Sequence, residues 1–357
     1  MTRARARDLG IVIGRLPPGR WNAITDVPDL WVGHTTVIRD DPRVVRTGVT
    51  MIVPRGGRVW SEQVFAGFHS FNGAGEMTGI HWVEESGLLS SPIALTNTHQ
   101  VGLVRDTLVG IAQQRRFTEF SSLPVVGETY DGRLSDMDAF SLTEEHVRAA
   151  LDNAGPGPVE EGNVGGGTGM ICHDFKGGIG TASRVVEVSG LKFTVGALVQ
   201  ANHGSREDLR VDGVPVGRHL GVNVIPSAWE GAEVGGSLLA ILATDAPLLP
   251  GQCRRLARRA TVGMSRCGGI GHNASGDLFL ALSTSNWAPA ESRGVIPVSM
   301  LAHPDLDVLF SAAAEAVEEA ILNCLTAAET MVGFRGRTAY AIPLDELSRI
   351  LQLYRPA

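Results

Sequence analysis

Two glycines and a serine, Gly235-Gly236-Ser237, directly precede the apolar run Leu238 to Thr244. Glycine has no side chain to block an approach to the hydroxyl or to the carbonyl before it, so Ser237 Oγ can attack the carbonyl carbon of Gly236. That N-to-O acyl shift gives an ester, water hydrolyses it, and a new chain begins at Ser237. Its α-amine, with an ordinary pKa of about 7.7 to 8.0, then acts as a local base for its own hydroxyl, and no distant histidine is needed. A Gly-Gly turn feeding a strand shows the same pattern, so this segment by itself leaves both readings open.

Ser275 and Asp277 stand two residues apart where His-Asn-Ala-Ser-Gly runs into Leu-Phe-Leu-Ala-Leu. In an extended chain they share one face, and a hydroxyl and a carboxylate can point together at Ser237 on a neighbouring strand. A turn serine followed by a strand-initiating aspartate fits the same letters. Other chemistries find less support. The ten histidines include no HExxH and no pair with a plausible third ligand, so no metal is expected. His69, His81, His99, His173, His203 and His272 read as structural or rim residues of turns. The run Gly165 to Gly169 lacks the Lys-Ser/Thr of a P-loop and the spacing of GxGxxG, which argues against a nucleotide cofactor. No GxSxG elbow is present, and Cys253 and Cys267 have no histidine pattern suggesting a dyad.

The elements that must position these groups alternate along the chain. Short β-prone runs occur at Met51 to Val53, Ile93 to Thr96, Phe193 to Gln200, Ser237 to Thr244 and Asp277 to Ser283, several of them apolar enough for strands buried on both faces. Helical spacing runs from His99 to Arg115, where Val101, Val104, Leu108 and Ile111 form one face. A second helix is expected from Ser141, with Glu144 completing a capping box, and a third from Pro250 to Cys267. A long Ala-rich helix follows from Asp305 to about Met331, and a closing one from Pro343 to Leu353. The Gly/Pro-rich stretch from Asn153 to Gly169 reads as a loop inside one α/β domain.

Composition narrows the function. With 357 residues and 43% apolar content the chain can build a substantial core. Its 44 glycines exceed the roughly 25 of average usage and imply many tight turns. A formal charge of -7 argues against nucleic-acid binding. Four cysteines without CxxC spacing read as reduced, buried thiols. The basic N-terminus lacks the apolar core of a signal peptide and no run reaches membrane-spanning length, so a cytoplasmic protein that avoids membranes is expected.

Longer segments say more: NGAGEMTGIHWVEESG from Asn72, LTNTHQVG from Leu95, PVVGETYDGRLSD from Pro124 and NVGGGTGM from Asn163. To these are added LVQANHGSREDLRVDGVPVG from Leu198, GGSLLAILATDAPLLPGQCRRLARRA from Gly235 and GGIGHNASGDLFLALST from Gly268. Through them nearly the whole chain resembles the L-aminopeptidase/D-amidase/esterase and β-peptidyl aminopeptidase family, self-processing hydrolases related to ornithine acetyltransferase. The resemblance implies an α/β fold, a four-layer αββα sandwich, and one catalytic domain cut into fragments 1–236 and 237–357 that stay together. It also implies a homo-oligomer of processed units.

Carried over position by position, the resemblance makes Ser237 the nucleophile and Gly236–Ser237 the processed bond. Ser275 and Asp277 match the pair near the nucleophile, although some relatives carry glutamate where Asp277 stands. Asn202 matches the oxyanion-hole amide, Tyr130 the phenol that supports the tetrahedral intermediate, and Glu128 the carboxylate that receives a substrate ammonium. A neutral amide can stabilise an oxyanion without titrating, and losing one such donor costs about 3 to 4 kcal/mol. The implied activity is release of N-terminal residues from small peptides, amides or esters through an acyl-enzyme on Ser237. Two rivals remain at this point: acyl transfer to an amine, for which relatives use threonine in place of Ser237, and a non-catalytic binding protein with the same fold.

Overall fold

Leu238, Ala240 and Leu242 lie in one hydrophobic core and the alternate residues Leu239, Ile241 and Ala243 in another, all six fully buried. A period of two with both faces buried is what a central strand requires. The computed structural model describes residues 3–114, 123–229 and 236–354. Its strands, in chain order, are β1 (Trp31–Arg39), β2 (Val45–Val53), β3 (Glu62–Gly73), β4 (Leu88–Leu89), β5 (Ile93–Asn97) and β6 (Val125–Thr129). They continue with β7 (Ile171–Cys172), β8 (Phe175–Lys176), β9 (Gly178–Val188), β10 (Leu191–Asn202), β11 (Gly236–Thr244), β12 (Ser275–Pro289), β13 (Met331–Val332) and β14 (Thr338–Ala339). The helices used below are α1 (Ile80–Ser86), α2 (Val101–Gln114), α3 (Glu144–Asp152), α4 (Val216–His219), α5 (Pro250–Ala257), α6 (Ala260–Arg266), α7 (Leu306–Ala327) and α8 (Leu344–Tyr354).

The strands form two main sheets, one in the order β1-β2-β5-β6 and one in the order β4-β3-β12-β11-β10-β9. Strand β11 runs parallel to β12 and antiparallel to β10. The parallel neighbours β5 and β6 are joined through α2, and β11 and β12 through α5 and α6, the crossover connections that parallel pairing demands.

Three cores define four layers. Val104, Leu108 and Ile111 of α2 and Val147 of α3 pack on Val49, Met51 and Val126 of the smaller sheet. The two sheets meet face to face through Ile52, Ile93 and Val125 on one side and Leu239, Ile241 and Leu280 on the other. On the far side, Leu238, Val199 and Phe279 pack against Leu256 of α5, Val317 and Ile321 of α7 and Leu347 of α8. This is the αββα sandwich. Truncating one such leucine to alanine costs about 2 to 5 kcal/mol.

A buried ion-pair network fastens α7 to β9. Arg184 reaches Glu315 at 3.0 Å and Glu319 at 2.6 Å, and Arg7 adds a contact to Glu319 at 2.8 Å. Such charges are tolerable inside a protein because each is paired, and the pairing tells α7 which residues to turn inward. No helix among the described residues is long and apolar enough to cross a membrane.

The structure differs from the sequence reading at several element ends. The helix expected from Ser141 starts at Glu144, with Thr143 as its cap: the Thr143 backbone N donates to His146 Nδ1 at 3.0 Å, so the capping partner is the histidine and not Glu144. The single helix expected over Pro250 to Cys267 is two, α5 and α6, separated by a turn at Arg258 and Arg259. Arg259 lies over the Phe310 ring at 3.9 Å, and the turn lets α5 pack on β3 while α6 packs on α7. The long helix ends at Ala327 because Ala328 is already extended. The end of the helix expected at Arg115 and the residues Glu233 to Gly235 lie outside the described residues.

Candidate active site

Ser237 is the second residue of β11, between Asn202 on β10 and Gly276 on β12. The position before it must be glycine. A Cβ at Gly236 would stand 2.2 Å from the Asn202 carbonyl oxygen and 2.9 Å from His203 Cα, so any side chain there would push β10 and β11 apart. The backbone N–H of Gly276 donates to Ser237 Oγ at 3.3 Å.

Ser275 and Asp277 do share a face. Ser275 Oγ donates to Asp277 Oδ1 at 2.8 Å, and the same oxygen accepts from the backbone N of Leu238 at 3.2 Å. The carboxylate thus grips the backbone one residue beyond Ser237, and the group that touches Ser237 Oγ is the amide between the two side chains. Asp277 Oδ2 is buried without a hydrogen-bond partner among the described residues. Burial raises the Asp277 carboxyl to about 6 against the pull of Ser275 and Leu238.

That shift has a stability consequence with a definite sign. The folded chain holds the Asp277 proton more tightly than an unfolded one does, so stability is lost as pH rises from about 4 through about 6, up to about 3 kcal/mol. In an uncut Ser237→Ala background, Asp277→Asn is expected to raise the melting temperature at pH 8 and to leave it nearly unchanged at pH 4. Thermal melts at the two pH values check this, and an equal difference at both would show that ionisation of Asp277 is not the cause.

Asn202 lies opposite Ser237 in the β10–β11 ladder, and its side chain is held at both ends. Its Oδ1 accepts from Ile171 N at 2.8 Å, and its Nδ2 donates to the Tyr130 carbonyl at 3.0 Å, leaving one amide hydrogen uncommitted. Tyr130 follows β6 and is about half exposed, with a relative accessibility of 48%. Its backbone carbonyl therefore orients Asn202, and the residue also lines the cavity that holds Ser237.

Glu128 is buried at the end of β6, where Oε1 accepts from Glu76 N at 3.0 Å and Oε2 accepts from the Thr98 hydroxyl. Burial raises its carboxyl above the usual range, opposed by these two donors. Gly75 separates it from the strand pair that carries Ser237: a Cβ there would lie 3.4 Å from Glu128 Oε1 and 3.1 Å from Gly276 Cα.

One cavity of about 380 Å³ joins these groups, with Thr98, Glu128, Tyr130, Trp229, Gly236 and Ser237 among its walls. Of the residues singled out from sequence, Glu128, Tyr130, Gly236 and Ser237 line it, while Asn202, Ser275 and Asp277 are buried on the strands either side of Ser237. Thr98 and Trp229 were not anticipated. Thr98 lies inside the quoted run LTNTHQVG, and only its contact with Glu128 marks it out. Trp229 precedes the segment before Gly236 and carries Arg133 over its ring at 5.6 Å.

The family model of peptidase family S58 matches residues 22–339. The chain belongs to that family. It is 47% identical to the β-peptidyl aminopeptidase BapA of Sphingosinicella microcystinivorans over 369 aligned positions, covering 98% of this chain and 92% of the relative. Among solved structures, this S58 peptidase superimposes on a Burkholderia sp. β-aminopeptidase with a TM-score of 0.93 and 49% identity, covering 99% of this chain and 100% of the other. It superimposes on the L-aminopeptidase D-Ala-esterase/amidase of Ochrobactrum anthropi with a TM-score of 0.92 and 45% identity over 98% of each chain. The latter is a prototype for the serine aminopeptidases and a variant of the Ntn hydrolase fold. These relatives favour an aminopeptidase over the acyltransferase and over a non-catalytic binding protein.

Proposed function

We propose that this S58 peptidase is a self-processing serine aminopeptidase and amidase, which releases N-terminal residues from small peptides, amides or esters through an acyl-enzyme on Ser237. The observation that carries the reading is the single cavity with the Glu128 carboxylate and the Ser237 hydroxyl in its walls. A substrate ammonium seated on Glu128 places the adjacent acyl carbon near Ser237, which restricts the enzyme to free amino termini.

In the proposed sequence, Ser237 Oγ first attacks Gly236, and hydrolysis of the resulting ester leaves fragments 1–236 and 237–357. The freed α-amine of Ser237 then accepts the hydroxyl proton as Oγ attacks the substrate carbonyl. The uncommitted Asn202 amide hydrogen, with the Tyr130 phenol beside it, receives the oxyanion. The proton passes to the departing amine, and water repeats the cycle on the ester. Asp277 is ionised above about pH 6 and favours the protonated α-amine, while burial favours the neutral one. The reading extends to a cytoplasmic homo-oligomer of paired fragments without cofactor or nucleic acid. Supporting it are four free, buried cysteines and a net charge of -7.

Glu128→Gln tests the ammonium anchor. It removes the charge and keeps the shape, so KM for substrates with a free ammonium should rise roughly 10- to 100-fold, the worth of one charge-assisted hydrogen bond. KM for neutral esters should stay within a few-fold. In the wild type, KM for ammonium substrates should also rise as pH falls through the elevated Glu128 value. Equal effects on charged and neutral substrates would sink the assignment.

A further inference from the structure

A thiol and two imidazoles outside the substrate cavity are brought together by the fold. Cys172, His173 and His203 each place one donor atom within 4.8 Å of the other two, and all three side chains are buried. Cys172 ends β7, and His173 with Asp174 makes the two-residue turn into β8, with φ of 48° and 60°. Both positions of such a hairpin turn need positive φ, which His and Asp adopt more readily than most residues other than glycine. His203 follows β10, and its carbonyl accepts from His173 N at 2.7 Å.

One hydrogen bond fixes the tautomer of His173. His173 Nδ1 lies 2.9 Å from the carbonyl oxygen of Ser205, which can only accept, so Nδ1 carries the proton and Nε2 holds a lone pair. His203 Nδ1 lies 3.9 Å from Cys172 Sγ. Neither His173 Nε2 nor His203 Nε2 has a hydrogen-bond partner among the described residues, although both are buried. A buried polar atom without a partner is destabilising, and two on neighbouring rings, with centroids 5.2 Å apart, call for an explanation.

We propose that Cys172, His173 and His203 form a binding site for one copper(I) ion. Thiolate and imidazole donors suit a soft cation. Binding breaks the Cys172 S–H bond, forms an S–Cu bond and releases the proton to solvent, with no electron transferred. The ion and the thiolate then cancel, and two neutral imidazoles complete an uncharged, three-coordinate centre that an apolar interior can hold. Zinc(II) on the same donors would leave a net positive charge in that interior and call for a fourth ligand. Linear spacing gave no hint of this set, because β8, β9 and β10 lie between His173 and His203.

The test uses the full chain under anaerobic conditions, with copper(I) supplied as its coloured bicinchoninate complex and equilibrated overnight because the site is enclosed. The wild type is expected to withdraw one equivalent of copper, seen as loss of the chelator's visible absorbance. Cys172→Ser should withdraw none, and His173→Gln should bind at least 10-fold more weakly. Failure of the wild type to withdraw copper, or undiminished withdrawal by Cys172→Ser, would overturn the proposal. The thiol of Cys324 also neighbours Cys172, so Cys324→Ser is the control. Copper lost in that variant and retained in His173→Gln would assign the ion to two thiols and reject the imidazoles. If the Cys172 variant does not fold, X-ray absorption on the copper-loaded wild type decides: one sulfur and two nitrogens are expected, and two sulfurs would refute the site. Zinc(II) binding without copper(I) binding would refute the choice of metal.

Discussion

Ser237→Ala is expected to give one uncut chain of 357 residues without hydrolytic activity, whereas the wild type gives two chains, the shorter beginning at Ser237. Alanine removes the oxygen required for both the acyl shift at Gly236 and the attack on substrate. In a serine protease, removing the nucleophile costs on the order of 10⁶-fold in kcat, and loss of self-cleavage compounds it here. Intact mass and N-terminal sequencing read out the cut, and amide hydrolysis reads out the activity. A separate treatment isolates the base: carbamylation of mature protein near neutral pH turns the freed α-amine into a neutral urea and leaves the Ser237 hydroxyl in place. Wild-type protein that hydrolyses amides while uncut, or after complete carbamylation of that amine, would mean that the base lies elsewhere.

Asn202→Ala should lower kcat by about 10²- to 10³-fold for charged and neutral substrates alike, with little change in KM, because in the proposed mechanism the lost donor serves the oxyanion and not the bound ground state. Alanine also strips the acceptor from Ile171 N, a buried group whose exposure to no partner costs about 1 to 3 kcal/mol. Asn202→Asp separates the two roles. It retains an oxygen for Ile171 N but sets a second oxygen against the Tyr130 carbonyl in place of the amide donor, so it should be at least as slow as the alanine variant while keeping the Ile171 contact. Steady-state kinetics on matured protein check both. A kcat within a few-fold of wild type in a folded Asn202→Asp enzyme would remove Asn202 from the oxyanion site.

The central strands were legible because Leu238 to Ala243 and Leu278 to Leu282 are apolar on both faces, a pattern that only a doubly covered strand sustains. Strand β3 was not, since His69, Ser70 and Asn72 break its alternation near the cavity. The break between α5 and α6 carries no glycine or proline. It answers to Arg259 over Phe310, a contact between residues fifty-one positions apart that no local window contains. Thr143 and Ser141 compete for the same cap on nearly equal chemical terms, and the winner is the one with His146 three residues on. The candidate site residues could be nominated from motifs, while the pairing of Thr98 with Glu128 and the aromatic wall at Trp229 depend on how β5, β6 and the chain before β11 meet in space.

The order β4-β3-β12-β11-β10-β9 threads the two proposed fragments through each other. Strands β11 and β12 come from residues after the cut, and they are flanked by β3 on one side and β10 on the other, both from residues before it. Once Gly236–Ser237 is hydrolysed, neither piece can leave without tearing two full-length ladders from the middle of a sheet. The mature protein should therefore be long-lived as a kinetic matter, its lifetime set by the barrier to opening that sheet. Its return from denaturant changes reaction order as well. The uncut Ser237→Ala chain refolds in a first-order process, whereas separated fragments must first collide, so their recovery slows on dilution and falls off below the concentration at which they find each other.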